Sequence, residues 1–246
     1  MCLISQLLRW LWGVVASLMA VVYTAVLAPF AAASAPFWGG KMVSYIARLW
    51  SSLILATGGI KVEVQGLENV GRLKSFVIVC NHQSILDIFT LFAVLPWELR
   101  FVAKKELLKI PLVGYAMDRS GHILVDRVAG GQAIRRAIQI ARRGHPIVFF
   151  AEGHRYADNQ VHPFHDGAAW LAILGKLPCV PAAISGSGAL FPPGALVIKP
   201  GGRIRLRLCS PITTDDLKAG QRDDLTRQLE NVVRATFDAL NSGEPR

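Results

Sequence analysis

The chain reads as an α/β protein whose mixed β-sheet is flanked by helices and preceded by an N-terminal apolar helix hairpin. Three observations predict this. From Val62 onward, short strand-forming runs alternate with segments of helical periodicity. Before that point, two long apolar stretches carry almost no charge, and at the other end an amphipathic segment closes the chain. The expected division is a membrane-associated hairpin over residues 1–60 and an α/β domain over residues 61–246.

The hairpin comes first. No charged residue lies between Arg9 and Lys41, and Leu11 to Ala28 would span roughly 27 Å as a helix at ~1.5 Å per residue, near a bilayer's hydrocarbon thickness. Pro29 interrupts that stretch. A second one, Met42 to Ile60, carries only Arg48 and ends in Gly58-Gly59, while Pro36 and Gly39-Gly40 supply a connection. Trp10, Trp12, Trp38 and Trp50 stand where interfacial anchors belong. Spanning the bilayer and dipping into one leaflet both fit, because basic residues flank the first stretch on either side. A secretory signal is the competing reading, with Ala33-Ser34-Ala35 as the cleavage site; the length of the apolar region and Pro36 speak against it.

Beyond the hairpin, strands are expected at Lys61–Gln65, Phe76–Cys80, Ile147–Phe150, Val180–Ile184 and Arg203–Cys209, the last with Ile204, Leu206 and Leu208 on one face. Helices are expected over Gly131–Arg143, Gly167–Leu174 and Asp223–Leu240. No internal repeat or low-complexity tract intervenes.

Charge narrows the partners. Four of the 27 basic residues and none of the 17 acidic ones precede residue 63, so 23 bases face 17 acids, a net +6, in the remainder. Such a surface attracts anionic headgroups and phosphorylated or acidic substrates. No nucleic-acid-binding module accompanies the charge, so nucleic acid is not an expected partner. The four cysteines are scattered without a metal-ligand spacing, and Cys80 and Cys179 read as small core residues. His154, His162 and His165 are close in sequence but lack a matching ligand set, so no metal is expected.

The chemistry concentrates at Asn81-His82-Gln83-Ser84-Ile85-Leu86-Asp87, between a strand-like run and an apolar stretch. A histidine accepts a proton near neutrality, and a carboxylate on its other ring nitrogen fixes the tautomer and stabilises the imidazolium. Residues i and i+5 of one helix point about 140° apart, so contact requires His82 in the turn and Asp87 in the first helical turn. In isolation, the same run also fits a helix capped by Asn81 or Ser84 with both other residues solvated.

Three further segments follow in order. They are Ala103-Lys104-Lys105-Glu106-Leu107 with Pro111, Gly114 and Gly121-His122-Ile123-Leu124-Val125-Asp126-Arg127; Phe150-Ala151-Glu152-Gly153-His154-Arg155; and Val180-Pro181-Ala182-Ala183-Ile184. With the His-x4-Asp run, this order and spacing resembles the glycerolipid acyltransferase family that includes 1-acyl-glycerol-3-phosphate acyltransferases, over about Val62 to Ser210.

The resemblance implies a glycerolipid acyltransferase-like sheet and an O-acyl transfer. His82 would be the general base on the free hydroxyl of a lysophospholipid, most simply lysophosphatidate, and Asp87 its orienter. The acyl donor would be acyl-CoA or acyl carrier protein, used as a substrate, with no cofactor. Lys104, Arg127, Glu152, Gly153 and Arg155 match the family's acceptor- and phosphate-binding positions. His154 stands where the family usually has threonine, which makes it a candidate for tuning acceptor choice; His165 stands where lysine is common. The resemblance further implies association with membrane phospholipid, the catalytic domain facing the cytoplasm, at the inner membrane if the source is bacterial. Another lysolipid or glycerol 3-phosphate as acceptor, and a lipid-binding membrane protein without catalysis, are the alternative functions.

Overall fold

The computed structural model describes residues 3–125, 131–156 and 158–242. Its first element, α1 (Leu3–Thr57), is helical throughout. At ~1.5 Å per residue a straight helix would hold Trp12 and Thr57 roughly 68 Å apart. Instead Trp12 Nε1 donates to Thr57 O at 2.8 Å, and Trp50 Nε1 donates to Thr24 Oγ1 at 3.0 Å. The helix therefore turns back on itself, and Pro29 and Pro36 lie in the segment that turns. Each proline removes an N–H donor and crowds the carbonyl four residues earlier, which bends a helix without ending it. The hairpin path thus matches expectation, and the connection through Pro36 and Gly39-Gly40 is itself helical.

The two limbs differ in what they cover. Leu3–Trp38 is long and apolar enough to cross a membrane by length and composition, and its side chains include exposed Leu7, Trp10, Val15, Leu18 and Val21. The return limb packs inward. Ile54 and Leu55 join the core, Arg48 donates to Leu95 O at 2.6 Å, and Trp50 meets Phe89 edge-on at 4.8 Å.

Among the described residues seven strands follow: β1 (Ile60–Gln65), β2 (Val77–Cys80), β3 (Arg100–Lys104), β4 (Ile123–Val125), β5 (Ile147–Phe150), β6 (Cys179–Ser185) and β7 (Gly202–Leu208). They form one sheet in the order β1-β7-β6-β2-β5-β3-β4. Strands β2 to β6 are mutually parallel, while β7 pairs antiparallel with β6 and parallel with β1. The sheet is therefore mixed, as predicted.

Central β2 and β6 are buried along their whole length, which is why they read as unbroken apolar runs rather than alternating ones. Alternate residues of β2 serve two cores. Ile78 and Cys80 face a layer containing Ile54 of α1 and Leu86 and Leu91 of α2 (Leu86–Val94). Val77 and Val79 face α4 (Gly131–Arg142) and α5 (Gly167–Gly175), with Leu225 and Leu229 of α7 (Arg222–Ser242) closing that side.

Two shorter helices complete the fold, α3 (Val113–Arg119) between β3 and β4, and α6 (Ser187–Leu190) after β6. Because β2, β3, β4 and β5 run the same way, the residues that follow them gather along one edge of the sheet. That carboxyl edge is where open α/β sheets bind their ligands.

Candidate active site

His82 leaves the carboxyl end of β2 two residues beyond Cys80, and Asp87 is the second residue of α2. The turn between them is held by side chains. Asn81 is fully buried and bridges to β6 with both ends of its amide: Nδ2 donates to Ile184 O and Oδ1 accepts from Ile184 N, each at 2.9 Å. It continues the strand pairing past the end of β2, where a sequence reading offers it only a helix-cap role. Ser84 Oγ donates to Phe191 O at 2.6 Å, tying the turn to the segment after α6.

Asp87 reaches back from the helix as the five-residue spacing requires. Its Oδ2 lies 2.9 Å from His82 Nδ1 and also accepts the main-chain N–H groups of Gln83 at 2.8 Å and Ser84 at 2.9 Å. The carboxylate has no solvent exposure and sits at the positive end of α2. Three donors converging on one oxygen fix its position, so the imidazole is oriented by a group that is itself immobilised. The His82 side chain keeps 12% of its surface exposed, and with Nδ1 turned to Asp87, Nε2 is the nitrogen left to meet a substrate.

One face of the ring is also occupied. Phe150 stacks on His82 with centroids 3.8 Å apart and planes 14° from parallel. Register explains the contact. Cys80 and Phe150 are partners across β2 and β5, and His82, two residues on, continues along the same face of the sheet.

Glu152 follows β5 and is 1% exposed. Its Oε1 accepts the main-chain N–H of His82 at 2.7 Å and its Oε2 that of His162 at 3.2 Å. Burial pushes this carboxyl up to about 7, against the two main-chain donors that pull it down. Glu152 is thus turned inward, toward backbone, whereas the resemblance gave it an acceptor contact. Cys80, beneath the same turn, is buried, and burial together with Asp87 and Glu152 raises its thiol well above the usual range.

The other predicted residues stand in the segments that end β3 and follow β4 and β5. Gly153 has φ +69°, a left-handed conformation suited to glycine, and a Cβ there would come within 3.0 Å of the His165 ring. His154 and Arg155 follow it, both exposed. Lys104, exposed at the end of β3, sits beside Val125 in the register of β3 with β4. Arg127, expected just past β4, lies outside the described residues.

Gln83 and Phe150 complete the site without having announced themselves as site residues. Gln83 Nε2 donates to Gln160 O at 2.7 Å, so the loop carrying His154 and Arg155 is tied to the His82 turn both there and through Glu152. The one signal for Phe150 was its place in the run before Glu152; nothing in the sequence marks Gln83. Among the described residues no group of three or more His, Cys, Asp or Glu is arranged to hold a metal ion.

A neutral imidazole backed by a buried carboxylate at a strand end can take a proton from a hydroxyl and return it to a leaving group. Comparison with known proteins agrees with that chemistry. The family model described as acyltransferase matches residues 61–185. A chloroplastic 1-acyl-sn-glycerol-3-phosphate acyltransferase of Brassica napus is 33% identical over 176 residues, covering 70% of this chain and 51% of that protein. The Saccharomyces cerevisiae enzyme of the same name is 34% identical over 188 residues, covering 74% and 60%, and the alpha form of Mus musculus is 31% identical over 195 residues, covering 76% and 68%. The chain spans about half the length of the Brassica relative. The crystal structure of the 1-acyl-sn-glycerophosphate acyltransferase PlsC from Thermotoga maritima has the same fold, with a TM-score of 0.82 at 23% identity over 97% of this chain and 100% of that one. With half its length matched by the family model and the His82–Asp87 pair in register at the sheet edge, the chain belongs to the acyltransferase family.

Proposed function

We propose that the protein moves a fatty acyl group from acyl-CoA or acyl carrier protein to the free hydroxyl of 1-acyl-glycerol-3-phosphate, giving phosphatidate in phospholipid biosynthesis. The single observation that carries this is the 2.9 Å contact between His82 Nδ1 and a buried, triply bonded Asp87 oxygen. The names of the relatives support lysophosphatidate as the acceptor.

In the reaction, His82 Nε2 removes the hydroxyl proton as the oxygen attacks the thioester carbonyl carbon. The tetrahedral adduct collapses, the C–S bond breaks, and the departing thiolate takes the proton from the imidazolium. Asp87 stabilises that imidazolium while it exists. Lys104, Arg127 and Arg155 bind the acceptor's phosphate, the guanidinium forks suiting paired oxygens and the ammonium adding a point charge. Gly153 keeps the loop's backbone conformation, and Glu152 holds the loop and the His82 turn together. No cofactor takes part.

Residues 1–60 serve as the membrane anchor and residues 61–246 as the catalytic domain, on the cytoplasmic face and at the inner membrane in a bacterium. His154 tunes the choice of acceptor, and His154→Thr should change the relative rates on a panel of lysolipids; unchanged ratios would remove that role. The deciding test of the whole reading is mass-spectrometric product analysis with several lysolipids, glycerol 3-phosphate and both donor types, comparing the wild type with His82→Ala. Phosphatidate formed by the wild type and reduced at least ~10²-fold in the variant is expected, and equal rates would remove the enzymatic reading in favour of simple lipid binding.

A further inference from the structure

Outside α1, six large apolar side chains are exposed among the described residues. Four of them, Leu108, Ile110, Leu112 and Tyr115, fall within eight consecutive positions between β3 and the first half of α3. Exposed apolar groups scattered singly need no explanation, but a run of this density on a domain surface marks a contact. The same segment carries exposed Lys104, Lys105 and Lys109 against one acid, Glu106.

The backbone is shaped to present that run. Leu112 has φ +63° and ψ −49°, and Val113 N donates to Pro111 O at 2.6 Å across it. This is the γ-turn with positive φ, rare and strained for a residue with a Cβ. The strain serves no burial, since Leu112 remains 45% exposed. Gly114 lets the turn close, because a Cβ there would come within 2.6 Å of Leu107 O and Leu108 Cα. Immediately beyond, Ala116 of α3 packs with Ala31, Ala35 and Val43 of α1, so the segment adjoins the apolar hairpin.

We propose that Lys104–Tyr115 is a second bilayer-contacting element, which sets Leu108, Ile110 and Leu112 into the interfacial layer of an anionic membrane with its lysines at the headgroups. Lysines interspersed with leucine and isoleucine fit such a surface, where apolar burial and attraction to anionic lipid add. The segment starts at Lys104, on the carboxyl edge that holds His82, so its docking brings that edge to the lipid surface. The proposal rests on the membrane reading of α1, and its test separates the two.

The full-length chain, with Cys2→Ser and Cys209→Ser to leave the buried Cys80 and Cys179, would carry an environment-sensitive dye at one new cysteine. The positions are Leu108→Cys and Leu112→Cys, with Phe30→Cys on α1 and Leu174→Cys on α5 as references. Each protein is mixed with phosphatidylcholine–phosphatidylglycerol vesicles containing brominated acyl chains. A blue shift with quenching at 108, 112 and 30, none at 174, and a weaker signal at 112 on phosphatidylcholine alone are expected. Quenching at 30 with an aqueous spectrum at 108 and 112 would overturn this element and leave the hairpin reading intact. An aqueous spectrum at 30 as well would overturn the membrane reading itself. A blue shift at 112 without vesicles would assign the patch to protein contact and overturn the proposal, and equal signals on neutral and anionic vesicles would overturn its electrostatic part.

Discussion

Glu152 accepts the main-chain N–H of His82 with one oxygen and that of His162 with the other, so one buried carboxyl couples the His82 turn to the loop carrying His154 and Arg155. Its native value of about 7 lies above the ordinary 4.5 because burial disfavours the charged form. A carboxyl raised in this way binds its proton more tightly folded than unfolded. Its stabilising contribution is therefore complete below about 4.5 and is lost as pH rises to about 7, a change of roughly 3 kcal/mol. Glu152→Gln should remove this component, so Tm measured from pH 4.5 to 7.5 should fall less steeply in the variant than in the wild type. An identical slope would mean that Glu152 does not titrate in that window.

Asp87→Asn keeps an oxygen for the N–H groups of Gln83 and Ser84 but brings no charge to stabilise an imidazolium. Because that same position also faces His82 Nδ1, an NH2 turned there would confront both main-chain donors, so the amide oxygen stays in place and what is lost is the charge. Thioester consumption should fall about 10²- to 10⁴-fold at neutral pH while the protein stays folded by circular dichroism. A loss of less than tenfold would show that the contact is structural.

Phe150 fixes the plane of the imidazole by stacking at 3.8 Å. An aromatic contact is worth about 0.5–1.5 kcal/mol beyond its area, so Phe150→Leu should lower kcat roughly 2- to 10-fold with KM for the acceptor little changed. Phe150→Tyr should restore most of the rate. If leucine and tyrosine variants behave alike, the stack plays no part in turnover.

Periodicity and strand-forming runs were enough to locate β1, β2, β5, β6, β7, α4, α5 and α7 to within a residue or two, because each pattern is set by what the element buries. The hidden elements are β3, α3, β4 and the four-residue α6. Strand β3 opens with Arg100, which is buried by donating to Ser44 Oγ of α1 at 2.9 Å and to Glu98 at 3.0 Å, partners that no local pattern reveals. Strand β4 is three residues long, and the helix before it begins at a strained leucine rather than a capping residue. His122 shows the same limit within the site motif. Burial and nearby Arg100 hold it down at about 3, and its Nδ1 accepts the Phe101 N–H at 3.0 Å, so it supports β3 rather than the chemistry. The His82–Asp87 pair was legible because its spacing excludes contact within one helix. Glu152's inward turn was not, since its partners are main-chain groups brought together by three separate segments.

Asn81 tests how far the His82 turn depends on its link to β6. Its amide supplies both a donor and an acceptor to Ile184, and all four groups are buried. Asn81→Ala would leave the Ile184 N–H and C=O without those partners, at about 1–3 kcal/mol for each buried group left unsatisfied. A total near 3 kcal/mol corresponds to a Tm lower by roughly 10 °C in a chain of this size. Asn81→Asp keeps the acceptor but loses the donor and brings a third buried carboxyl to a turn that already holds Asp87 and Glu152, so it should be no more stable than the alanine variant. Because the link holds the turn that carries His82, both variants should also lose kcat when assayed well below their own Tm. A variant with native Tm and full activity would show that β2 and the Asp87 carboxylate suffice to hold the turn.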